Sequence, residues 1–353
     1  MNRLKNLFTG LLFLLSLLSA SDQRIRTLGG NALFWPEDDS NIEYFPHLMS
    51  NYNIAQISGI GDGSDSLYGK FIWGNQNKYG FSWYEASNHE MLNFYIGMGS
   101  LGLRLGLLSS AADTSFNNTQ SSELGLSGSV GINRDNVDIG LHMSTYSSDD
   151  GTTSDQHERF KTDFYFRTKM DVWNFTNITS SFHYASSNDG FNDNAIPVIY
   201  DLTLMQGNLG LSDTIKISDN STAMLAISTS FISAKNVDGY KDLNIEIFHF
   251  PNFTFGIEGK INNWAKARIG INKNYIITMK INQPGGSTNN IRSGENLKKA
   301  FGLGFNYSAF NLDMYVHEGL FTNPIQRILG FESLEPVSGP NSSSITATVT
   351  YTW

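Results

Sequence analysis

Residues 160–172 read FKTDFYFRTKMDV. Phe160, Phe164, Phe166, Met170 and Val172 fall at even positions, and Lys161, Asp163, Arg167, Lys169 and Asp171 at odd ones. Successive side chains of a strand point to opposite sides. The stretch therefore predicts a strand with one apolar face and one almost fully charged face.

The same period recurs along the chain. Phe253, Phe255, Ile257 and Ile261 oppose Thr254, Glu258 and Lys260; Ala265, Ala267, Ile269 and Ile271 oppose Lys266 and Arg268. Tyr275–Ile281, Phe301–Tyr307 and Phe310–Val316 repeat it. From about residue 52 onward we count about eighteen candidate strands, with a range of 14–18. Two hairpins follow from the parity of the apolar faces. One turns at Ser308-Ala309 and places Phe305 opposite Leu312. The other turns at Asn262–Trp264 and places Glu258 opposite Arg268 and Lys260 opposite Lys266. Taken as a solvent-exposed pair, Glu258–Arg268 would contribute only about 0–1 kcal/mol.

Alternation alone also suits a secreted β-sandwich. Three features favour an antiparallel transmembrane β-barrel over residues 52–353. The first is a short–long rhythm of connections, as expected of such barrels. Tight junctions fall at Gly99-Ser100, Asn133–Asp135, near Trp173, at Phe250-Pro251, at Asn274 and at Ser308-Ala309. Longer polar stretches cover 109–121, 147–158, 186–197, 283–298 and 318–342, with a short 262–264 and a longish 212–221 as exceptions. The second is the last strand, ITATVTYTW at 345–353. It resembles the C-terminal signature of bacterial outer-membrane barrels, a final strand closing on an aromatic residue. Tyr351 and Trp353 are the candidate membrane-insertion signature, and the resemblance implies the barrel-assembly machinery as a partner of that strand. The third is a set of aromatics near strand ends: Trp73, Tyr79, Trp83, Tyr84, Trp173, Tyr240, Trp264 and Tyr275.

The beginning of the chain sets the expected compartment. Arg3 and Lys5 precede an apolar run from Leu7 to Leu18, and Ser19-Ala20-Ser21 offers small residues for cleavage before Asp22. That is the order of a signal peptide, expected over residues 1–21, with an apolar core too short to span a bilayer. No later stretch reaches eighteen apolar residues. An exported chain then stays soluble or enters a membrane as a closed barrel, and the expected location is the bacterial outer membrane. The chain has no Cys, which excludes a disulfide framework, and its net charge of −9 argues against nucleic acid as a partner.

Residues 22–51 do not alternate. Arg26-Thr27-Leu28-Gly29-Gly30-Asn31-Ala32, then Asp38-Asp39-Ser40-Asn41-Ile42, then Phe45-Pro46 predict a small packed element with a short helix, a turn capped from Asp38, and an end at Pro46. This run resembles the mature N-terminus of the long-chain fatty-acid transporter superfamily of barrels, which includes the shuttle barrels of type IX secretion. Phe45-Pro46-His47 stands where that superfamily often has Asn-Pro-Ala. The resemblance implies a segment lying inside the barrel as a plug, with Leu28, Gly29, Gly30, Asp38, Asp39, Phe45 and Pro46 as its candidate residues, and a wall of fourteen strands. A periplasmic tail is the alternative; Leu33, Phe34, Trp35, Tyr44 and Leu48 make the segment too apolar for a free tail.

No local motif pairs a nucleophile with a base. Gly-x-Ser-x-Gly and His-Glu-x-x-His are absent, and the seven His residues are dispersed. No enzymatic activity, cofactor or metal is expected. The lumen-facing candidates are Lys161, Asp163, Arg167, Lys169, Asp171, Glu258, Lys260, Lys266 and Arg268, with both signs nearly balanced along the chain. A one-sign ring would have marked an ion-selective constriction. Two readings remain besides the sandwich. One is a channel or transporter for small solutes or hydrophobic, lipid-like molecules; the other is a non-transporting scaffold or secretion shuttle. Outer-membrane lipids are the expected surroundings in both.

Overall fold

A computed structural model describes residues 22–60, 67–86, 89–114, 119–149, 156–172, 175–193, 196–238, 241–282, 289–294, 297–316 and 345–353. The leader expected over 1–21, the stretch 318–342, and Trp173 and Tyr240 lie outside the described residues. Eighteen strand segments follow one another. They are β1 Ile54–Ile60, β2 Leu67–Gly74, β3 Asn77–Ala86, β4 His89–Met98, β5 Leu101–Thr114 and β6 Thr119–Arg134. Next come β7 Val137–Asp149, β8 Gln156–Val172, β9 Phe175–Asp193, β10 Ile196–Ser218, β11 Ser221–Asp238 and β12 Lys241–Lys260. The last are β13 Ala265–Lys273, β14 Tyr275–Asn282, β15 Asn289–Gly294, β16 Lys298–Tyr307, β17 Phe310–Val316 and β18 Ile345–Thr352.

These segments build sixteen staves. β12 pairs with β13 along its second half and with β14 along its first, so β13 and β14 are one stave interrupted at Asn274. β15 pairs with β14 and β16 with β13, which makes them one stave as well. β1 pairs with β2 on one side and, through Ile54 opposite Thr352, with β18 on the other. The antiparallel ladder thereby closes on itself, the only way a sheet satisfies its backbone in lipid. Sixteen exceeds the fourteen that the resemblance implied and falls within the range counted from the alternation.

The apolar parity faces out. Phe94, Leu105, Leu126 and Ile269 are exposed on the outer surface, while Thr254, Arg167 and Arg268 on the opposite parity are buried. Both predicted hairpins have the predicted register, with Phe305 opposite Leu312, Glu258 opposite Arg268 and Lys260 opposite Lys266. Two-residue turns at Gly99-Ser100, Asp135-Asn136, Asp219-Asn220 and Ser308-Ala309 all lie at one end of the barrel. Asp135 and Ser308 take φ of 56° and 55° there.

Several junctions differ from expectation. Phe250-Pro251 and Asn274 are not turns but points inside long staves. Proline has no N–H for the ladder, and the register of β11 against β12 shifts across His249–Asn252 to accommodate it. Proline and asparagine mark bulges as well as turns, which is why the sequence splits these staves. The connection 262–264 lies at the short-turn end with the others, and 212–218 is strand. The described residues of 109–121, 147–158 and 186–197 are also strand rather than loop. Beyond the lipid both faces of a strand meet water, so the alternation that reveals it fades. Staves consequently differ in height: β10 has 23 residues and β1 has 7, against about 9–11 needed to cross a bilayer.

Candidate functional site

Residues 22–52 pack against inward-facing residues of the wall at the short-turn end. Helix α1 (Asp22–Thr27) is followed by three single 3-10 turns, Ala32–Phe34, Asp39–Glu43 and Pro46–Asn51. Gly29 and Gly30 take φ of 106° and 82°, a region glycine enters without cost, and reverse the chain after α1. Asn31 and Asp38 cap the first two turns by accepting from Leu33 N and Ser40 N, each at 3.0 Å. Pro46 does not end a helix, as the sequence suggested, but opens the third turn, where its missing N–H costs nothing. Leu28, Ile42, Phe45 and Met49 are fully buried.

The segment rests on glycine. Gly97, Gly102, Gly131 and Gly140 stand directly opposite one another across β4 to β7, forming one row on the inner wall. A Cβ at Gly102 would lie 2.1 Å from His47 N, and one at Gly140 would lie 2.0 Å from Tyr44 O. Gly256 and Gly270, paired across β12 and β13, do the same for Leu28 and Gly29. The backbone of the segment thus meets the wall at both ends, with no side chain between.

Ion pairs and hydrogen bonds complete the seat. Arg24 Nε reaches Glu258 at 3.0 Å and its Nη1 reaches Asp38 at 2.6 Å. Glu43 accepts from Arg104 at 2.5 Å and from Tyr68 at 2.8 Å. Asp39 faces Lys70 at 3.8 Å and Gln56 at 3.1 Å; His47 Nε2 lies 2.9 Å from Asp138. These anchors come from β1, β2, β5, β7 and β12, well separated around the wall. Burial pushes the Asp39 carboxyl up to about 8, with Lys70 opposing and Asp38 adding to the shift. Burial works the same way on Glu43, but Arg104, Lys70 and the Tyr68 and Tyr95 hydroxyls hold it below its usual range. Glu258 and Asp38 keep Arg24 charged despite its burial.

Most of the lumen-facing candidates on the inner wall are paired. Arg167, 3% exposed, donates to Asp138 at 2.7 and 2.9 Å. Asp163 accepts from His183. Arg268 donates to Glu258 and to Asp313, each at 2.6 Å, and Lys266 stands 3.6 Å from Glu258. Lys161, Lys169 and Lys260 are exposed on that face, and the side chain of Asp171 lies outside the described residues. Tyr351 and Trp353 are exposed on the outer wall beside Phe310 and Phe71, with ring centroids 4.8 and 5.3 Å apart. The alternation did not single out Arg24, Glu43, His47 or the glycine row. The sequence did carry a sign of the last, because those glycines share the parity of the charged residues.

Two neighbouring cavities of about 630 and 480 Å³ lie between the segment and the wall at the short-turn end. Pro36, Glu37, Asn136 and Lys169 line both.

No protein-family model matches the chain, and no curated protein matches it. Among solved structures it is similar to the toluene transporter TodX of Pseudomonas putida, with 10% identity, a TM-score of 0.39, and coverage of 95% of this chain and 98% of that one. It is also similar to CdiB from Acinetobacter baumannii, with 9% identity, a TM-score of 0.43, and coverage of 85% and 59%. A third is the alcaligin outer-membrane receptor FauA from Bordetella pertussis, with 7% identity, a TM-score of 0.38, and coverage of 75% and 60%. By its own closed antiparallel wall, apolar outside and charged within, the chain has the fold of an outer-membrane β-barrel.

Proposed function

We propose that the chain is a transport barrel of the bacterial outer membrane, passing a small solute through a lumen that residues 22–51 narrow as a plug at the periplasmic end. The observation that carries this reading is the seat of that segment, glycine floors at both ends and ion pairs to well-separated staves. Barrels of sixteen strands enclose a water-filled channel. A scaffold barrel has no need to seat thirty residues across its own lumen. Short turns belong to the periplasmic side, which supports a periplasmic position for the segment and its two cavities. Export through the leader at 1–21, and insertion by assembly machinery that recognises the strand ending in Tyr351 and Trp353, belong to the same reading.

Single-channel recording in planar bilayers tests it. Full-length protein should give small steps, and a variant lacking residues 22–51 should give steps several-fold larger. If both are silent while migrating as folded, heat-modifiable barrels, the scaffold or shuttle reading replaces this one.

A further inference from the structure

The two cavities at the short-turn end hold paired and unpaired charges side by side. In the larger one Arg24, Asp38 and Glu258 are tied to one another, and in the smaller one Arg167 and Asp138 are tied likewise. Lys169 and Glu37 line both cavities, and each is an exposed charge with no partner among the described residues. Both belong to the lining that the two cavities share, Glu37 from the segment and Lys169 from β8. Around them the rim is uncharged and polar, with Asn136, Asn177, Thr214 and Thr222, and Trp35 and Pro36 supply an apolar floor.

We infer that this shared lining is a binding site for a small zwitterion, an amino acid or dipeptide, whose carboxylate pairs with Lys169 and whose ammonium pairs with Glu37. A ligand carrying one charge would satisfy only one of the two groups. The amide and hydroxyl rim matches the donors and acceptors of a peptide bond. A volume of about 630 Å³ falls within the size of pockets that hold small ligands. As the solute class of the transport reading the inference rests on that reading; as a binding site it does not.

Calorimetric titration of glycylglycine into the detergent-folded full chain at low salt tests it. The expected result is saturable binding that Lys169→Ala and Glu37→Gln each weaken by about tenfold, the effect of losing one charge-assisted contact. The same dipeptide blocked at both ends should not bind. Absence of saturable heat, equal binding of the blocked dipeptide, or unchanged affinity in both variants would overturn the inference. Both residues are exposed, so heat-modifiability should show the variants folded. Because binding is read without current, a silent but binding barrel sinks transport alone. A conducting barrel that does not bind sinks this inference alone.

Discussion

Arg268 holds two carboxylates from different strands, Glu258 and Asp313, while almost completely buried. Replacing it by an acid takes a buried cation from both of them and sets a third carboxylate between them, with Arg24 and Lys266 still on Glu258. Arg268→Glu should therefore lower the free energy of unfolding by roughly 3–5 kcal/mol, read by urea titration in detergent. From the sequence the pair with Glu258 was legible, because register follows from parity. Its burial was not, because Asp313 and Arg24 converge on it from distant parts of the chain. The exposed-pair value of about 0–1 kcal/mol accordingly underrates it. Asp39 makes a second test at this scale. Its folded pKa is raised, to about 8 from 3.8, so the folded state holds the proton more tightly than the unfolded chain does. That stabilisation is complete below about pH 4 and is lost as pH rises through 8. Wild-type Tm should fall relative to Asp39→Asn across this window; parallel pH profiles would show that Asp39 does not hold its proton.

At the scale of elements, the glycine row across β4–β7 sets how closely the third 3-10 turn approaches the wall. Gly102→Val has no room for a side chain against His47 N. It should displace the segment while the ladder stays closed, so limited trypsin should cut after Arg24 in a barrel that remains heat-modifiable. Gly128 faces outward, and a Cβ there would meet nothing within 4 Å. Gly128→Val should leave cleavage as in wild type. Ile269, exposed on the outer wall opposite Ile257, tests the other face. Ile269→Arg should cost up to roughly 2–4 kcal/mol if the site lies near the bilayer midplane. Unimpaired folding of this variant into lipid would put the apolar face somewhere other than against acyl chains. Face assignment and register could be read from the sequence because both depend on a period of two. The glycine row could not, since it exists only after four staves are aligned.

For the whole molecule, counting elements fails where composition stops reporting position. Pro251 and Asn274 read as breaks yet lie inside staves, and the described upper ends of β5 to β10 read as loops yet are strand. A polar residue above the lipid carries no memory of which way it points. The described wall is tall from β8 to β12 and low at β1, β2, β17 and β18. With about 3.3 Å per residue and the usual strand tilt, the high side should rise roughly 25–30 Å above the bilayer. Atomic force microscopy of reconstituted protein should find that relief on one side of each particle; an even ring would contradict it. A tube cut on a slant does not open along its axis. The rim drawn by the described staves leans likewise, facing the lipid headgroups at β1, β2, β17 and β18 and standing as a screen at β8 to β12.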